Sequence, residues 1–289
     1  MENQNQSVRV YAPQYRNVLS TVFDVRKAFA GVLAPIQVLD GVQMNATAFK
    51  VKTSDTPVVV GTYNKGANIG MGTGTGKTSR FGDRKEIIYT DTDVPYDYDL
   101  TIHEGLDRYT VNNDLDAAVA DRFKLQSEAQ TRFMNEKIGA HLSSNAKETK
   151  TLSAFDEAAI KSLFNAIKKY YVDHEVTAPV KAYVTTDLKT AIVDMQSTTT
   201  AKGSSVSIDD NDVVKYKGFV LEETPEKYFV AGDIAYFSPD RIVNPFVGIS
   251  TARTIESEDF DGVALQAAAK GGTFTLEDNK AAIVKVKTP

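Results

Sequence analysis

Cysteine and tryptophan are absent from the 289-residue chain, and histidine occurs only three times. Without cysteine the chain forms no disulfide and offers no thiolate to a metal or a substrate. His103, His141 and His174 lie far apart, so no two have the i, i+3 or i, i+4 spacing of a helical metal site. The sequence therefore predicts no metal, no cofactor and no catalytic residue, and we expect a protein that is not an enzyme.

Long apolar segments are missing as well. No run approaches the ~18 apolar residues of a membrane-spanning helix, and the first residues hold no apolar stretch typical of a secretory signal. We expect a protein that is made in a cytoplasm and does not enter a membrane. With 42% hydrophobic and 25% charged residues, the composition is that of one large or two smaller globular domains.

The net charge of −5 is unevenly distributed along the chain. Residues 1–90 carry 11 Lys and Arg against 6 Asp and Glu, whereas residues 91–289 carry 22 against 32. A basic segment of this kind can bind nucleic acid, a membrane surface or the acidic part of another copy of the chain.

A glycine-rich segment, GMGTGTGKTSRFG at residues 70–82, contains the end of a phosphate-binding loop in Gly76-Lys77-Thr78. A P-loop needs a glycine five positions before Gly76, and that position is Met71. No apolar helical period follows Thr78, although the N-terminus of a helix is what binds the phosphate. We interpret the segment as a loop tip, with a nucleotide-binding enzyme as the alternative.

Three polar segments allow a functional and a structural interpretation. Four alternating aspartates, Asp91, Asp93, Asp97 and Asp99, can bind calcium or form the solvated face of a strand. The acidic run from Glu256 to Asp261 can hold a cation or pair with a basic neighbour. Lys215-Tyr216-Lys217 can stack on nucleic acid or lie on an exposed strand edge.

The first hundred residues predict an arm and a long hairpin. Val18, Val22, Val25 and Phe29 recur at helical spacing, which predicts a short helix. Residues 32–66 and 84–105 are rich in Val, Thr, Ile and Tyr and read as extended limbs around the tip at 64–82. Because a two-stranded ribbon is marginal alone in water, we expect this hairpin to contact something else.

A helix of roughly 30 residues, about 45 Å long, is predicted from Asn113 onward. Asn112 or Asn113 can cap it, and Asp114 and Asp116 favour its N-terminal end. Its candidate buried stripe is Leu115, Val119, Phe123, Ala129, Phe133, Ile138 and Leu142.

From residue 150 the pattern becomes that of an α/β body. Ser153 to Asp156 resembles a capping box for a helix. The predicted buried side of that helix is Phe155, Ala159, Leu163, Ile167 and Tyr170. Strands are predicted at VKAYVTT and in the segments after residue 212, with a short helix at DLKTAIVDM between them.

This order of parts resembles the major capsid protein of tailed double-stranded DNA bacteriophages, which has the Hong Kong 97-type fold. KGFVLEETP (217–225), leading into VAGDIAYFSPDRI, is similar to strands of phage shell proteins. EDFDGVALQAAAKGGTF (258–274) is similar to their C-terminal turn. The resemblance implies an α+β fold with an N-terminal arm, an extended β-hairpin loop, a long spine helix in a peripheral domain, and an axial domain.

The resemblance also implies how the parts are divided. Residues 1–35 would be the N-terminal arm and 36–109 the extended loop with its lead-in. Residues 110–149 would be the spine helix, 150–248 the axial domain, and 249–289 the return to the peripheral domain. Candidate inter-subunit contacts in the basic arm and loop are Arg9, Arg16, Lys65, Lys77, Arg80, Arg84 and Lys85.

The function implied is that of a structural subunit of the icosahedral shell around phage DNA. Its partners would be copies of itself in hexamers and pentamers, a separate scaffolding protein, the portal protein, and DNA held without strong specific binding. The protein would be assembled in the host bacterial cytoplasm and found in the virion. The alternative with the same fold is an encapsulin-like compartment that encloses protein cargo.

Overall fold

The computed structural model describes residues 25–39, 47–54, 56–66, 69–70, 79–111, 114–195, 207–209 and 212–289. The chain divides into two compact units. One comprises residues 1–42 and 97–289 and is called the body, whereas the other, residues 43–96, is called the hairpin.

The described residues form both α-helices and β-strands, some short and some long. Helices lie at Leu115–Asn145 (α1), Glu157–Asp173 (α2), Thr186–Val193 (α3) and Glu277–Lys280 (α4). The strands of the hairpin are Thr47–Thr53 (β2) and Thr90–Pro95 (β3). The strands of the body are Gln37–Val38 (β1), Tyr98–Asp107 (β4), Glu148–Thr151 (β5), Val180–Val184 (β6), Ser207–Asp209 (β7), Asp212–Tyr216 (β8), Phe219–Glu223 (β9), Asp233–Pro239 (β10), Asn244–Glu256 (β11), Gly262–Phe274 (β12) and Val284–Lys287 (β13).

A seven-stranded mixed sheet of order β5-β13-β10-β6-β9-β8-β7 carries one core of the body. Ile160, Phe164 and Ile167 of α2 and Leu188 of α3 are fully buried in this core. Strand β10 is buried along its whole length, as its nearly continuous apolar run predicts for a central strand covered on both faces.

A four-stranded sheet of order β1-β11-β12-β4 packs against α1. Side chains of β4 alternate between half-buried and exposed, and the half-buried set faces α1. Tyr98 makes an edge-to-face contact with Phe133 of α1, with ring centroids 5.5 Å apart. The same face of β4 carries Glu104, which binds α1 through hydrogen bonds.

Glu104 joins this sheet to α1 by three hydrogen bonds. Arg122 donates from Nε to Oε2 at 2.7 Å and from Nη2 to Oε1 at 2.5 Å, and Gln126 Nε2 donates to Oε2 at 2.8 Å. Burial raises the pKa of the Glu104 carboxyl, but the hydrogen bonds from Arg122 and Gln126 outweigh burial and leave the pKa below its usual value of 4.5. The bidentate geometry therefore holds the carboxylate in its ionised form.

The opposite side of α1 is buried as well, against residues near Tyr228 and strand β10. Gly139 lies so close to the carbonyl oxygen of Tyr228 that a Cβ at this position would collide with it. Ser143 Oγ donates to Asp233 Oδ2 at 2.6 Å, and the hydroxyl of Tyr236 donates to the same oxygen at 2.9 Å. Helix α1 is thus packed between two parts of the body.

The segment before β1 is fixed to α1 and to the body. Asn135 Oδ1 accepts a hydrogen bond from the Ala28 amide at 3.0 Å, and its Nδ2 donates to the Arg26 carbonyl at 2.9 Å. Phe29 is fully buried and contacts Tyr183 edge-on at 5.2 Å. Val18 and Val22 of the predicted helix lie outside the described residues. Its described positions, Val25 and Phe29, are not helical, and a single 3₁₀ turn follows at Ala30–Val32.

The extent of α1 agrees with the prediction, but its cap and most of its buried positions do not. Asp114 occupies the N-cap position, whereas Asn112 and Asn113 lie outside the described residues. Only Ile138 and Leu142 of the expected stripe are buried, and Phe123 is 39% exposed. A helix packed on two sides has no single apolar stripe, so it buries polar residues such as Gln126 and Asn135 instead.

Helix α2 begins one turn later than the predicted capping box. Asp156, not Ser153, is the N-cap, and its Oδ1 accepts from the Ala159 amide at 2.7 Å. Leu163 and Ile167 are buried as expected. Phe155, in contrast, is 46% exposed. Tyr171 is buried instead of Tyr170, so the side of α2 that faces the core is shifted by about one residue from the predicted side.

We predict that Gly139→Ala destabilises the protein by about 1–3 kcal/mol, because the added methyl group collides with the Tyr228 carbonyl. The direction of the change in stability is informative, because replacing Gly by Ala at an exposed helix position stabilises a protein by about 1 kcal/mol. Urea unfolding followed by circular dichroism measures the difference. Ala140→Ser, at the exposed neighbouring position, is the control and should change stability little. A stabilised Gly139→Ala protein would contradict this packing.

We predict that Glu104→Gln lowers the free energy of unfolding by about 2 kcal/mol at neutral pH, because two donors lose a charged acceptor. The folded-state pKa of Glu104 is lowered, so its contribution is present above the unfolded pKa and is lost as the pH falls through the lowered value. The gap between variant and parent should therefore narrow as the pH is lowered through this folded-state pKa. Urea titrations at neutral and at acidic pH test this, with the exposed Glu136→Gln as control.

Candidate inter-subunit surfaces

The base of the hairpin is a short antiparallel ladder. Strands β2 and β3 pair from Thr53 opposite Thr90 to Thr47 opposite Pro95, with a bulge between Thr47 and Phe49. Lys50 lies 3.4 Å from Asp93 and Lys52 lies 3.8 Å from Asp91, each pair directly opposed across the ladder. Asp91 and Asp93 are thus on a solvated face with lysine partners, which is the structural interpretation of this acidic segment.

The predicted long limbs of the hairpin are not strands beyond this base. Residues 56–66 and 82–89 have no regular structure, although their composition is typical of strands. Val58, Val59 and Val60 are 91%, 61% and 91% exposed, and Phe81 is 83% exposed. Ile87, Ile88 and Tyr89 are also exposed. Three consecutive exposed valines are rare on a surface that meets only water, so they form a candidate binding surface.

The two limbs nevertheless meet again farther out. The Asn64 amide donates to the Arg80 carbonyl at 2.9 Å, and the rings of Tyr63 and Phe81 are in edge contact at 5.2 Å. The Arg80 guanidinium is engaged locally, because its Nε donates to the Ile69 carbonyl at 2.7 Å.

The basic contact candidates have different positions. Lys65, Arg84 and Lys85 are exposed on the hairpin, whereas Arg80 is half-buried. Arg9, Arg16 and Lys77 lie outside the described residues, as does Gly76-Lys77-Thr78. The sequence pattern identified these charges but missed the exposed valines, for which the only signal is an unbroken apolar run between Pro57 and Gly61.

The far end of the four-stranded sheet is acidic. Glu256 at the end of β11 is exposed, as are Glu258, Asp259 and Asp261 in the turn between β11 and β12. Arg108 balances part of this charge, because its Nη1 lies 2.9 Å from Asp261 Oδ1. This turn is a candidate surface for a basic partner.

Asp97, the first residue after the hairpin unit, is held by a network within the body. The Thr273 amide donates to Asp97 Oδ2 at 2.7 Å, and Thr273 Oγ1 lies 3.0 Å from Nδ1 of His141. His141 Nε2 lies 2.9 Å from Thr275 Oγ1. Burial lowers the pKa of His141, Asp97 raises it and Lys280 lowers it further, and the net lowering favours the neutral imidazole. The network fixes the point where the chain enters β4.

The segment Lys215-Tyr216-Lys217 does not have the exposed aromatic ring that stacking on a nucleic acid requires. Tyr216 is only 2% exposed and packs against Phe164, so it cannot stack on a nucleic acid. Strand β8 also lies between β9 and β7, which corrects the prediction of an exposed edge.

Among the described residues, no group of three His, Asp or Glu is placed to hold a metal. No described helix is long and apolar enough to cross a membrane.

No model of a known protein family matches the chain, and no curated protein matches it in sequence. Its structure is similar to the capsid of cyanophage P-SCSP1u, with a TM-score of 0.67, 9% identity, and coverage of 94% of this chain and 92% of that chain. For the mature capsid of bacteriophage PhiM1 the values are 0.65, 9%, 93% and 89%. The chain has the phage capsid fold. The predicted α+β Hong Kong 97-type fold is thereby confirmed.

A virus-like particle from Pyrococcus furiosus is also similar, with a TM-score of 0.51, 12% identity, and coverage of 91% of this chain and 93% of that chain. The lower TM-score at similar coverage places this chain nearer in shape to the two phage capsids.

Proposed function

We propose that the chain is the major capsid protein of a tailed double-stranded DNA bacteriophage, which assembles into an icosahedral shell around the genome. The observation that carries this proposal is the capsid fold over 94% of the chain. The exposed valines of the hairpin support it, because an apolar surface outside any core is stabilised when a second subunit covers it.

The parts of the chain take the roles of a shell subunit. Residues 1–35 form the arm along a neighbouring subunit, and 36–109 the extended loop with its lead-in. Residues 110–149 form the spine of the peripheral domain, which 249–289 complete. The axial domain, 150–248, meets its copies around the five-fold and six-fold axes. Five strands of the seven-stranded sheet, β6 to β10, lie within this range together with α2 and α3 and support that role.

The basic residues of the arm and loop contact the acidic body of a neighbouring copy. Lys65, Arg84 and Lys85 are exposed and the acidic turn between β11 and β12 is exposed, so both signs of charge are available for pairing. Arg80 contributes less, because its guanidinium already binds the Ile69 carbonyl. Arg9, Arg16 and Lys77 complete the set.

The chain acts as a structural component of the virion and not as an enzyme. Its partners are copies of itself in hexamers and pentamers, a separate scaffolding protein, a portal protein, and packaged DNA that it contacts without strong specific binding. Assembly takes place in the host bacterial cytoplasm. The net negative charge of the body supports weak DNA contact, because phosphate binding requires many positive groups.

A compartment that encloses protein cargo is the second candidate. The similarity to the Pyrococcus furiosus virus-like particle favours it. The two candidates differ in content, since a phage shell protects DNA whereas a compartment retains an enzyme.

Particle formation tests the proposal directly. Sedimentation and negative-stain electron microscopy of the purified chain, with and without a co-expressed scaffold, should show rings or closed shells of many copies. Nuclease-protected DNA in particles from infected cells would support the phage assignment, and a co-purifying enzyme would support the compartment. A persistent monomer or dimer under all of these conditions would contradict both.

Charge pairing between subunits predicts that Arg84→Glu with Lys85→Glu weakens assembly, because the hairpin then repels an acidic neighbour. Raising salt should likewise slow assembly of the parent chain, since charges are screened over ~10 Å at 0.1 M. Light scattering during assembly measures both effects. Lys168→Glu with Lys169→Glu, an exposed pair on α2, makes the same change in net charge and is the matched control. Equal loss in both variants would show an effect of net charge alone.

A further inference from the structure

His141 of α1 lies in a series of hydrogen bonds that ends at Asp97, the residue at which the body resumes after the hairpin unit. The series runs from Thr275 through the two ring nitrogens of His141 to Thr273 and then to Asp97, with distances of 2.9, 3.0 and 3.1 Å. Thr273 lies near the end of β12 and Thr275 directly follows that strand. The series therefore joins α1, the end of β12 and the segment that leads into β4.

The carboxylate of Asp97 sets the direction of every bond in this series. An ionised carboxylate only accepts, so the single hydroxyl hydrogen of Thr273 points to Asp97 Oδ2. The Thr273 oxygen then accepts from His141, which assigns the hydrogen of the neutral ring to Nδ1. Nε2 of the ring consequently accepts from the hydroxyl of Thr275.

Asn145 does not compete for this hydrogen, although its Nδ2 lies 3.3 Å from Nδ1 of His141. The same amide donates to the His141 carbonyl at 2.9 Å and to Ser144 Oγ at 3.3 Å, so both of its hydrogens have other acceptors. The Nδ1 hydrogen of His141 is thus directed to Thr273.

A second proton on the imidazole does not fit this arrangement. A charged His141 donates from both nitrogens, so the Thr275 hydroxyl would have to turn its hydrogen away. Thr275 is only 2% exposed, and Nε2 is the one hydrogen-bond partner of its hydroxyl among the described residues. A buried hydroxyl that loses its acceptor costs free energy. Burial also disfavours the charged ring and, with Lys280, lowers the pKa of His141 against the opposing effect of Asp97.

The other charged groups around His141 keep their charge between about pH 7.5 and about pH 5.5. Nζ of Lys280 lies 2.6 Å from Oε2 of Glu277, which also binds Lys147. Hydrogen bonds from Lys147 and Lys280 lower the pKa of Glu277 to about 2. On α1 itself, Lys137 lies one turn before His141. Carboxylates and lysines titrate outside this window, so His141 is the group in the network that changes its charge.

We propose that His141 is a pH-sensitive latch on the segment that leads from the hairpin unit into β4. The neutral ring completes the series that holds Asp97, whose amide donates to the Gly271 carbonyl at 2.9 Å and whose carboxylate accepts from the Thr273 amide at 2.7 Å. The charged ring is accommodated when this segment opens and water reaches the imidazole. The latch is a property of the single chain, so it stands or falls independently of the proposed shell function.

The direction of the pH effect follows from the number of protons bound. The closed network binds fewer protons than the open one, because the pKa of His141 in the closed network is lowered from 6.5. Opening therefore becomes easier as the pH falls below that value, by up to about tenfold per pH unit until the lowered pKa is reached.

Hydrogen–deuterium exchange of the full-length chain measures this opening. Peptides that contain the amides of Asp97 and Thr273 are compared at about pH 7.5 and about pH 5.5, with correction for the pH dependence of intrinsic exchange. Light scattering confirms that the oligomeric state is the same at both pH values. Peptides from the buried strand β10 report global unfolding. His103→Gln is the matched control for His141→Gln, because His103 is exposed.

We expect the protection of the Asp97 and Thr273 amides to fall by up to about tenfold per pH unit in the parent and in His103→Gln. In His141→Gln it should not depend on pH, and β10 should stay protected in all three chains. Constant protection in the parent, or a pH dependence that survives in His141→Gln, would overturn the latch. An equal loss of protection in β10 would also overturn it, since the whole body would then be unfolding.

Nitrogen NMR of chains with labelled imidazoles tests the latch without altering His141. The ring signal that persists in both His103→Gln and His174→Gln belongs to His141, and the two replaced histidines are exposed. We expect a neutral ring that carries its hydrogen on Nδ1. A hydrogen on Nε2 at neutral pH would contradict the direction of the series and overturn the proposal. If His141→Gln fails to fold, this measurement and the exchange of the parent decide.

Discussion

Helix α1 is buried on two opposite sides, and much of the body depends on this constraint. A helix in that position cannot separate an apolar face from a solvated one, so several polar side chains become buried. Each side has its own partners: Gln126 binds Glu104 of the sheet, whereas Asn135 binds the backbone at Arg26 and Ala28. Because buried polar groups are costly when unpaired, these contacts fix the position of the helix relative to both neighbours.

Helix α1 buries polar side chains, whereas the hairpin exposes apolar ones. Its base is held by a ladder with two opposed lysine–aspartate pairs, but its outer limbs expose apolar residues that no described core covers. The body also exposes apolar side chains, among them Ile36 and Val38 at strand β1. Covering either surface removes apolar area from water, which is favourable.

Sequence patterns predicted where the helices lie better than they predicted which residues are buried or paired. The length of α1 follows from the lack of proline and of any glycine before Gly139, and Leu163 and Ile167 of α2 were placed correctly. The buried Gln126 and Asn135 could not be foreseen, since only a tertiary partner makes a polar position favourable. Val58 to Val60 were predicted as strand because β-propensity does not distinguish a paired strand from an unpaired one. Met134 of α1 and Ala267 of β12 line the same cavity, and no local pattern relates residues so distant in sequence.

The position of strand β13 has a consequence for the order in which the body can form. Strand β13 lies between β5 and β10, so among the described strands β5 has no neighbour until residues 284–287 have been synthesised. Val284 and Val286 of β13 are fully buried in the core that α2 also lines. Translation therefore leaves this core incomplete until nearly all of the body has been made.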